Sequence, residues 1–211
     1  MPNHFYAIMS RMKNIFRWGL MRNTRQENLS EHSLEVAQIA HALALINRNR
    51  LGGNADPNFV SVVGLFHDSS EIITGDMPTP IKYYNEDIKS AYKKIEATAE
   101  IQLTEMLPED FKADFHKIYN PDPETKRLVK AADKISALIK CIEELNMGNK
   151  EFEVANNSTL KSIKNMNCPE ADIFLKEFIP SFYLSLDEQR EIGRLSSQVQ
   201  HFLEINSIGE R

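Results

Sequence analysis

Apolar residues recur every three or four positions along most of the chain, and the alternating pattern of a β-strand is scarce. The clearest helical stripe consists of Ile88, Tyr92, Ile95, Ala99, Leu103 and Met106. It follows Asn85, a residue type that caps helices, and it ends before Pro108, which cannot continue one. The pattern therefore predicts an all-α fold, in a single domain that covers residues 1–211.

Five further helices follow from the same reasoning, with loops at residues 16–29, 51–57, 74–84 and 120–123. They run from Phe5 to Ile15, from Ser30 to just before Gly52, from Pro57 to Gly75, from Glu124 to Met147, and from a capping box at Ser185 and Glu188 to Ile205. Ser30 is a favourable N-cap for the second helix. The buried face predicted for that helix consists of Leu34, Ala37, His41, Ala44 and Leu45.

Composition and charge narrow the function. The chain has 211 residues, with 25 basic and 30 acidic side chains and a formal net charge of -5. This balance argues against a nucleic-acid polymer as partner, because such binding depends on Lys and Arg at the phosphates. No apolar run approaches the roughly 20 residues of a membrane-spanning helix, and the N-terminus does not resemble a signal peptide. Since Cys141 and Cys168 also have no metal-like spacing, we expect a cytoplasmic protein with no membrane partner.

Two aspartates occur where a helix is otherwise apolar. Asp68 follows the apolar run 60–66, and Asp133 lies inside a strongly apolar helix. Aspartate is rarely buried unless it is paired or binds a metal. His67 precedes Asp68 in what we predict to be one helix, and His32 lies in the first turn of another. The predicted metal ligands are His32, His67, Asp68 and Asp133.

Two imidazoles and two carboxylates favour a divalent transition ion, such as Mn2+, Co2+, Fe2+, Ni2+ or Zn2+, over Ca2+. Four protein ligands around a six-coordinate ion leave two positions, for a water molecule and a substrate oxygen, which is the arrangement that hydrolysis requires. Taken singly, each of the four residues is more often a capping, surface or hydrogen-bonded core group. The inference of a metal site therefore depends on their combination.

The order of His32, His67-Asp68 and Asp133 on helices resembles the H…HD…D signature of HD-domain metal-dependent phosphohydrolases. Longer motifs resemble the bacterial 5'-deoxynucleotidase branch of that family. They are FRWGLMRN at 16–23, ENLSEHSL at 27–34, TGDMPTP at 74–80 and FIPSF at 178–182. Gly19 departs from the bacterial pattern, in which proline follows the Arg-Trp pair.

The resemblance implies an HD-domain helical bundle with a metal site between its helices. It also implies hydrolysis of deoxyribonucleoside 5'-monophosphates to a deoxynucleoside and inorganic phosphate, a divalent cation such as Co2+ or Mn2+, and a homodimer. Carried over by motif, the ion would be bound by His32, His67, Asp68 and Asp133. The substrate would lie against Arg17, Trp18, His32, Asp68, Asp76, Met77, Pro78, Thr79 and Asp133.

Glu71 has a spacing that suits catalysis. It lies four residues after His67 and three after Asp68, so a continuous helix would place its carboxyl group beside both. No cation at helical spacing explains it otherwise. There it could orient the attacking water or protonate the leaving 5'-oxygen, which makes Glu71 and Asp68 the predicted catalytic residues. The alternative is a solvated glutamate near a helix end.

Residues of the predicted loops 16–29 and 74–84 have side chains that suit a nucleotide. Arg17 could pair with phosphate oxygens, and Trp18, the single tryptophan, could crowd a 2'-hydroxyl and so favour deoxyribose. Asp76 could accept a hydrogen bond from a 3'-hydroxyl, and Thr79, between two prolines, could present its hydroxyl to the phosphate. Without these motifs, Arg17 would be a surface residue, Trp18 a core or interface anchor, and Asp76 a turn residue.

Two other functions remain open from the sequence. One is an HD-domain hydrolase of another nucleotide, a triphosphohydrolase or a cyclic-nucleotide phosphodiesterase. It would need more basic residues near the pocket, and the available set does not exclude it: Arg17, Arg22, Arg25 and Lys82. The other is a non-catalytic helical binding module with a structural metal, which would have a closed coordination shell and no use for Glu71.

Overall fold

The structure is a computed structural model that describes residues 3–82 and 84–192, with the backbone alone for Thr79, Glu191 and Ile192. The α-helices are α1 Phe5–Met9, α2 Leu29–Arg50, α3 Pro57–Phe66, α4 Glu71–Thr74, α5 Thr79–Lys82, α6 Glu86–Glu105, α7 Glu109–Tyr119, α8 Pro123–Asn146, α9 Glu153–Lys164, α10 Pro169–Glu177 and α11 Leu186–Ile192. Short 3-10 helices span Ser10–Asn14, Lys150–Phe152 and Ile179–Tyr183. The described residues contain no strand, apart from one isolated bridge, so the predicted all-α class is confirmed.

The start of the central helix α2 is set by a capping box. The side chain of Asn28 accepts a hydrogen bond from the amide of Glu31, and the carboxylate of Glu31 accepts one from the amide of Asn28. The predicted cap, Ser30, is therefore wrong. The cap is Asn28, because its backbone is still extended before the first helical turn.

The buried face of α2 differs from the predicted one. Ala37 and Ala44 are buried as expected, whereas Leu34 is 54% exposed. Both α3 and α8 pack on α2, so the residues that α2 buries are set by two neighbouring helices and do not form a single stripe. Its other core members are Val36, Ile39, Ala40, Leu43 and Ile46.

The third helix is interrupted. We predicted one helix from Pro57 to Gly75, but α3 ends at Phe66, a turn follows, and α4 begins at Glu71. Nδ1 of His67 donates to the carbonyl oxygen of Gly64 at 2.8 Å. In a continuous helix that carbonyl would accept the amide of the residue four positions on. The side chain of His67 takes over this acceptor, and His67 and Asp68 consequently lie on a turn between two helices.

The remaining helices agree with the prediction only in part. The helix predicted from Phe5 to Ile15 is α1 followed by a 3-10 helix, α5 lies inside the predicted loop 74–84, and α7, α9 and α10 were not among the predicted helices. Helices α3 and α8 each begin with proline after an aspartate cap, Asp56 and Asp122. The capping box of Ser185 and Glu188 is present before α11, and the predicted continuation to Ile205 lies outside the described residues. On α6 the stripe is buried at Tyr92, Ala99 and Leu103 and exposed at Ile95. Within the described ranges no helix is both long and apolar enough to cross a membrane.

Candidate metal centre and nucleotide site

The four predicted metal ligands converge from three parts of the fold. His32 comes from the start of α2, His67 and Asp68 from the turn after α3, and Asp133 from the middle of α8. One ligand atom from each lies within 4.8 Å of the others. Nε2 of His32 is 3.3 Å from Asp133 Oδ1 and 3.5 Å from Asp68 Oδ2. Nε2 of His67 is 3.0 Å from Asp68 Oδ2.

The hydrogen bonds of the two imidazoles leave their Nε2 atoms free for an ion. Nδ1 of His67 donates to the Gly64 carbonyl, and Nδ1 of His32 lies 3.0 Å from the hydroxyl of Ser136. Both Nε2 atoms are buried and have no hydrogen-bond partner among the described residues. A histidine that donates through one ring nitrogen presents a lone pair at the other, which is the usual form of a metal ligand. The donor set therefore fits a divalent cation.

The electrostatics of the cluster call for positive charge. Burial alone would disfavour a charge on His67, but the carboxylates of Asp68 and Asp133 outweigh it and raise the pKa of His67 to about 9. Burial likewise opposes ionisation of Asp68, yet the imidazoles of His67 and His32 hold the pKa of Asp68 well below its usual value. The two carboxylates thus attract the nearest cations, and a bound metal ion would replace protons in that role.

Glu71 lies at the start of α4. The prediction that one continuous helix carries it together with His67 and Asp68 is therefore wrong. Its side chain is only 4% exposed, and Oε2 has no hydrogen-bond partner among the described residues. A cation approaches it from another helix, because α5 brings Lys82 Nζ to 3.9 Å from Oε1. Burial, reinforced by the charges of Asp68 and Asp76, raises the pKa of Glu71 to about 9. Burial and the neighbouring carboxylates therefore favour the protonated form of Glu71.

Arg17 and Trp18 lie in the loop before α2, and Arg17 contacts the cluster. Arg17 Nη1 is 3.4 Å from Asp68 Oδ2, which joins the loop to the metal site. The indole nitrogen of Trp18 donates to Glu27 Oε2 at 2.8 Å, and its ring centroid is 5.3 Å from that of Phe152. The ends of the loop are held together by antiparallel backbone pairing, with Arg17 N donating to Glu27 O at 3.0 Å.

A buried carboxylate attaches this loop to α8. Glu144 is 1% exposed and accepts hydrogen bonds from the amide and the hydroxyl of Thr24, at 2.9 and 2.8 Å. It also accepts from Lys140, one turn earlier on the same helix, and from Asn149. The loop therefore has a fixed anchor at Thr24, between its two paired ends.

The second predicted loop contains Asp76, Met77 and Pro78, all half-buried. It begins where Gly75, at φ +74°, ends α4 in a conformation that residues with a side chain rarely adopt. Burial raises the pKa of Asp76, and Arg17 opposes that shift, which indicates that the two side chains are within electrostatic reach of each other. Thr79 is the first residue of α5. The structure does not describe its side chain, so its predicted role stays a prediction.

Several residues of the site were not recognised in the sequence. Ser136 and Glu35 each lie three residues after a predicted ligand, Asp133 and His32, on the same helix. That spacing places them on the ligand face and was a usable signal. Glu27 had no such signal, because its contacts depend on the path of a loop.

Comparison with known proteins agrees with this geometry. A family model described as 5'-deoxynucleotidase YfbR-like matches residues 4–182. A 5'-deoxynucleotidase of Vibrio atlanticus (strain LGP32) is 50% identical over 189 residues, which cover 88% of this chain and 97% of that protein. An HD-domain phosphohydrolase from Listeria innocua superimposes with a TM-score of 0.75 at 20% identity, over 98% of this chain and 99% of the other.

A second solved structure has the same fold. It is the cyanophage S-2L HD phosphohydrolase bound to dA and one catalytic Zn2+ ion, with a TM-score of 0.61 at 19% identity, over 83% of this chain and 95% of the other. At such identities the two structures establish the HD-domain fold alone, whereas the family model and the Vibrio relative extend over most of the sequence. The chain belongs to the YfbR-like family of 5'-deoxynucleotidases.

Proposed function

We propose that this protein is a metal-dependent 5'-deoxynucleotidase that hydrolyses deoxyribonucleoside 5'-monophosphates to a deoxynucleoside and inorganic phosphate. One observation carries the proposal. Two imidazole nitrogens without a hydrogen-bond partner among the described residues converge with two carboxylates beside the buried Glu71, in a chain that is 50% identical to a protein named 5'-deoxynucleotidase. Arg17, which contacts Asp68, adds a fixed positive charge next to the cluster.

The metal would be held by His32, His67, Asp68 and Asp133. A divalent transition ion in this position would act as a Lewis acid on the phosphate and lower the pKa of an attacking water. Co2+ and Mn2+ are the ions we propose, because mixed imidazole and carboxylate ligands suit both. The geometry of the ligands supports a mononuclear site, since all four side chains point to one place.

The other residues would divide the work on the substrate. Arg17 would bind phosphate oxygens, and Glu71 would give its proton to the leaving 5'-oxygen, which a raised pKa favours. Trp18 would border the 2' side of the sugar, and Asp76 would accept a hydrogen bond from the 3'-hydroxyl. His32, Asp68 and Asp133 would adjoin the phosphate through the ion, and the wall of the pocket would be completed by Met77, Pro78 and Thr79.

A longer phosphate chain is less well served by this site. Arg22 and Arg25 form ion pairs with Glu151 and Glu31 and are mostly exposed, so they do not supply a second phosphate-binding charge. Lys82 is paired with Glu96 at 2.8 Å. If the metal were purely structural, there would be no reason for Glu71 to be buried with its Oε2 lacking a hydrogen-bond partner among the described residues. Both observations favour a monophosphatase.

The assembly and compartment are also proposals. We propose a homodimer, as the family resemblance implies, and Ile95 and Ile101 are exposed apolar side chains on α6 that a second copy could cover. Replacing both with glutamate should then halve the mass in solution. We propose the cytoplasm as the compartment, in agreement with two buried cysteines that are not linked to each other.

The deciding experiment is a phosphate-release assay with metal-stripped protein. Restoring Mn2+ or Co2+ should restore hydrolysis of dAMP, with lower activity on AMP, 3'-dAMP and dATP. Asp68→Ala should abolish both metal binding and hydrolysis, whereas Asp114→Ala, at an exposed aspartate paired with Lys117, should change neither. Release of no phosphate from dAMP by protein that has bound metal, as measured by elemental analysis, would refute the proposal.

A further inference from the structure

One carboxylate oxygen holds the two side chains of the loop before α2. Oε2 of Glu27 accepts the indole N–H of Trp18 at 2.8 Å and the Nε–H of Arg17 at 3.2 Å. Both Glu27 and Arg17 have side chains that are only 13% exposed, so water competes weakly for these bonds. The two neighbouring side chains are thereby fixed relative to each other by a third residue.

The backbone of Trp18 needs such support. Its φ is +60°, in the left-handed region that costs a residue with a side chain roughly 1 kcal/mol or more. The amide of Met21 donates to the Trp18 carbonyl at 2.9 Å, which stabilises the turn but leaves the indole free to rotate. The ring is held by two further contacts, the hydrogen bond to Glu27 on its nitrogen and the ring of Phe152 at a centroid distance of 5.3 Å.

Arg17 connects the same carboxylate to the metal cluster. Its Nε donates to Glu27 and its Nη1 lies 3.4 Å from Asp68 Oδ2. The charge of Asp68 would be shared with a bound cation, which would weaken its hold on the guanidinium. Glu27 would then be the contact that keeps Arg17 oriented, because it lies outside the four-ligand cluster.

From these contacts we infer that Glu27 is a positioning residue for substrate selection: it orients Trp18 toward the sugar and Arg17 toward the phosphate, so that discrimination against a 2'-hydroxyl depends on Glu27. This inference rests on the proposed 5'-deoxynucleotidase function. A steric wall discriminates only if it cannot move aside, and an indole without its hydrogen bond can move. Loss of Glu27 should therefore relax the preference for deoxyribose while leaving the metal ligands intact.

Two substitutions separate the roles of Glu27. Glu27→Ala removes the acceptor for both partners, and the preference for dAMP over AMP in kcat/KM should fall by about tenfold, the size of one lost hydrogen bond of this kind. Glu27→Gln keeps an oxygen that can accept from Trp18 but removes the charge beside Arg17. Its preference for dAMP should stay near that of the wild type, while KM rises for both nucleotides.

Trp18 is the single tryptophan, so its fluorescence reports on this contact without any turnover. Glu27→Ala should shift the emission to longer wavelength and increase quenching by acrylamide, and Glu27→Gln should do so much less. The matched control is Glu151→Gln. The carboxylate of Glu151 accepts hydrogen bonds from the backbone amide and the Nε of Arg22, in the same loop, and has no hydrogen bond to Arg17 or Trp18 among the described residues. This variant should leave both the emission and the dAMP preference unchanged.

The results distinguish this inference from the proposed function. A wild-type protein that releases no phosphate from dAMP would overturn the function and the selectivity role with it, whereas the emission spectrum would still test the contact between Glu27 and Trp18. An active Glu27→Ala protein with wild-type emission and an unchanged ratio of dAMP to AMP activity would overturn the inference alone. If Glu27→Ala does not fold, a KM increase without loss of selectivity in Glu27→Gln supports the inference, and a wild-type KM contradicts it.

Discussion

Nδ1 of His32 lies 3.0 Å from the hydroxyl oxygen of Ser136, and that hydroxyl donates its own hydrogen to Glu35 Oε2 at 2.6 Å. A hydroxyl has a single hydrogen to donate, so the oxygen of Ser136 must accept from His32. Nδ1 therefore carries the proton of the neutral ring, and the lone pair is on Nε2, which faces Asp68 and Asp133. The chain from Glu35 through Ser136 to His32 thus selects the tautomer that a metal ligand requires.

Removal of the middle member should weaken metal binding. In Ser136→Ala, His32 loses the acceptor for its Nδ1 proton, and we expect the affinity for Mn2+ or Co2+ to fall by roughly tenfold to a hundredfold. The measurement is a competition of stripped protein with a chromogenic chelator. Ser33→Ala is the matched control, because Ser33 is the neighbour of His32, is equally buried, and has a hydroxyl without a hydrogen-bond partner in the described ranges. Equal affinities for the two variants would contradict the role of Ser136.

Glu71→Gln tests the proton-transfer role with almost no change of volume. We expect kcat to fall by about a hundredfold or more, while metal content and KM for dAMP change little, since Glu71 is not among the four ligands. The variant should unfold at about the same temperature, because burial favours the neutral form of Glu71 and the amide that replaces it is neutral as well. Glu96→Gln, at a carboxylate paired with Lys82 on the outer side, is the control and should keep most of the activity. A Glu71→Gln protein with full turnover would show that another group manages the proton.

The positions of the long helices, and the residues that converge in the candidate metal centre, could be predicted because each depends on local chemistry. Proline after an aspartate marks the start of α3 and of α8, and a buried aspartate in an apolar context marks Asp68 and Asp133. Such signals act within one or two turns of the residue that carries them. The all-α fold and the two aspartates of the candidate metal centre follow from such signals without knowledge of tertiary structure.

The details that were wrong or missed depend on contacts between distant parts of the chain. The helix breaks after Phe66, where the side chain of His67 replaces a backbone amide as the donor to the Gly64 carbonyl. A pattern of apolar positions does not indicate such a replacement. Lys82 approaches Glu71 because α4 and α5 both pack against α6. Glu27 binds two residues of its own loop, and these contacts depend on a backbone path that the sequence pattern does not indicate.

Gly64 permits the close approach of α2 and α3 that brings His67 to His32. A Cβ atom on Gly64 would lie 3.1 Å from Cα of Ala37 and 3.3 Å from Cβ of Ala40. Since the first of these is a backbone atom, the two helices would have to separate. We expect Gly64→Ala to lower the free energy of unfolding by about 1–3 kcal/mol and to weaken metal binding. Gly19→Ala, where no atom lies within 4 Å of the new Cβ, is the control.

Urea unfolding and a metal titration check the prediction for Gly64. The relevant comparison is between the two alanine variants, because both gain the same methyl group. If Gly64→Ala is as stable as Gly19→Ala, the contact between α2 and α3 is not limiting, and the placement of His67 must depend on other contacts.

Glu144, which anchors the loop before α2, should make the stability of the protein depend on pH. Burial by itself would raise the pKa of Glu144, but hydrogen bonds from Lys140, Asn149 and Thr24 outweigh it and lower the pKa to about 2, from a usual value of 4.5. A carboxylate with a depressed pKa stabilises the folded state above its unfolded-state pKa, and this contribution is lost as the pH falls through the folded-state value. The stabilisation is therefore complete above about pH 5 and disappears toward pH 2.

Glu144→Gln should remove this contribution and leave the Lys140 ammonium buried without its partner. At pH 7 we expect the variant to be less stable than the wild type by about 3 kcal/mol, from the size of the pKa shift, and the difference should shrink steadily between pH 5 and pH 3. Urea unfolding at a series of pH values measures it, with Glu143→Gln, an exposed neighbour on α8, as the control that should show no gap. Because Glu144 holds Thr24, the variant should also bind dAMP more weakly at neutral pH. A stability gap that stays constant from pH 7 to pH 3 would mean that Glu144 acts through packing and not through its charge.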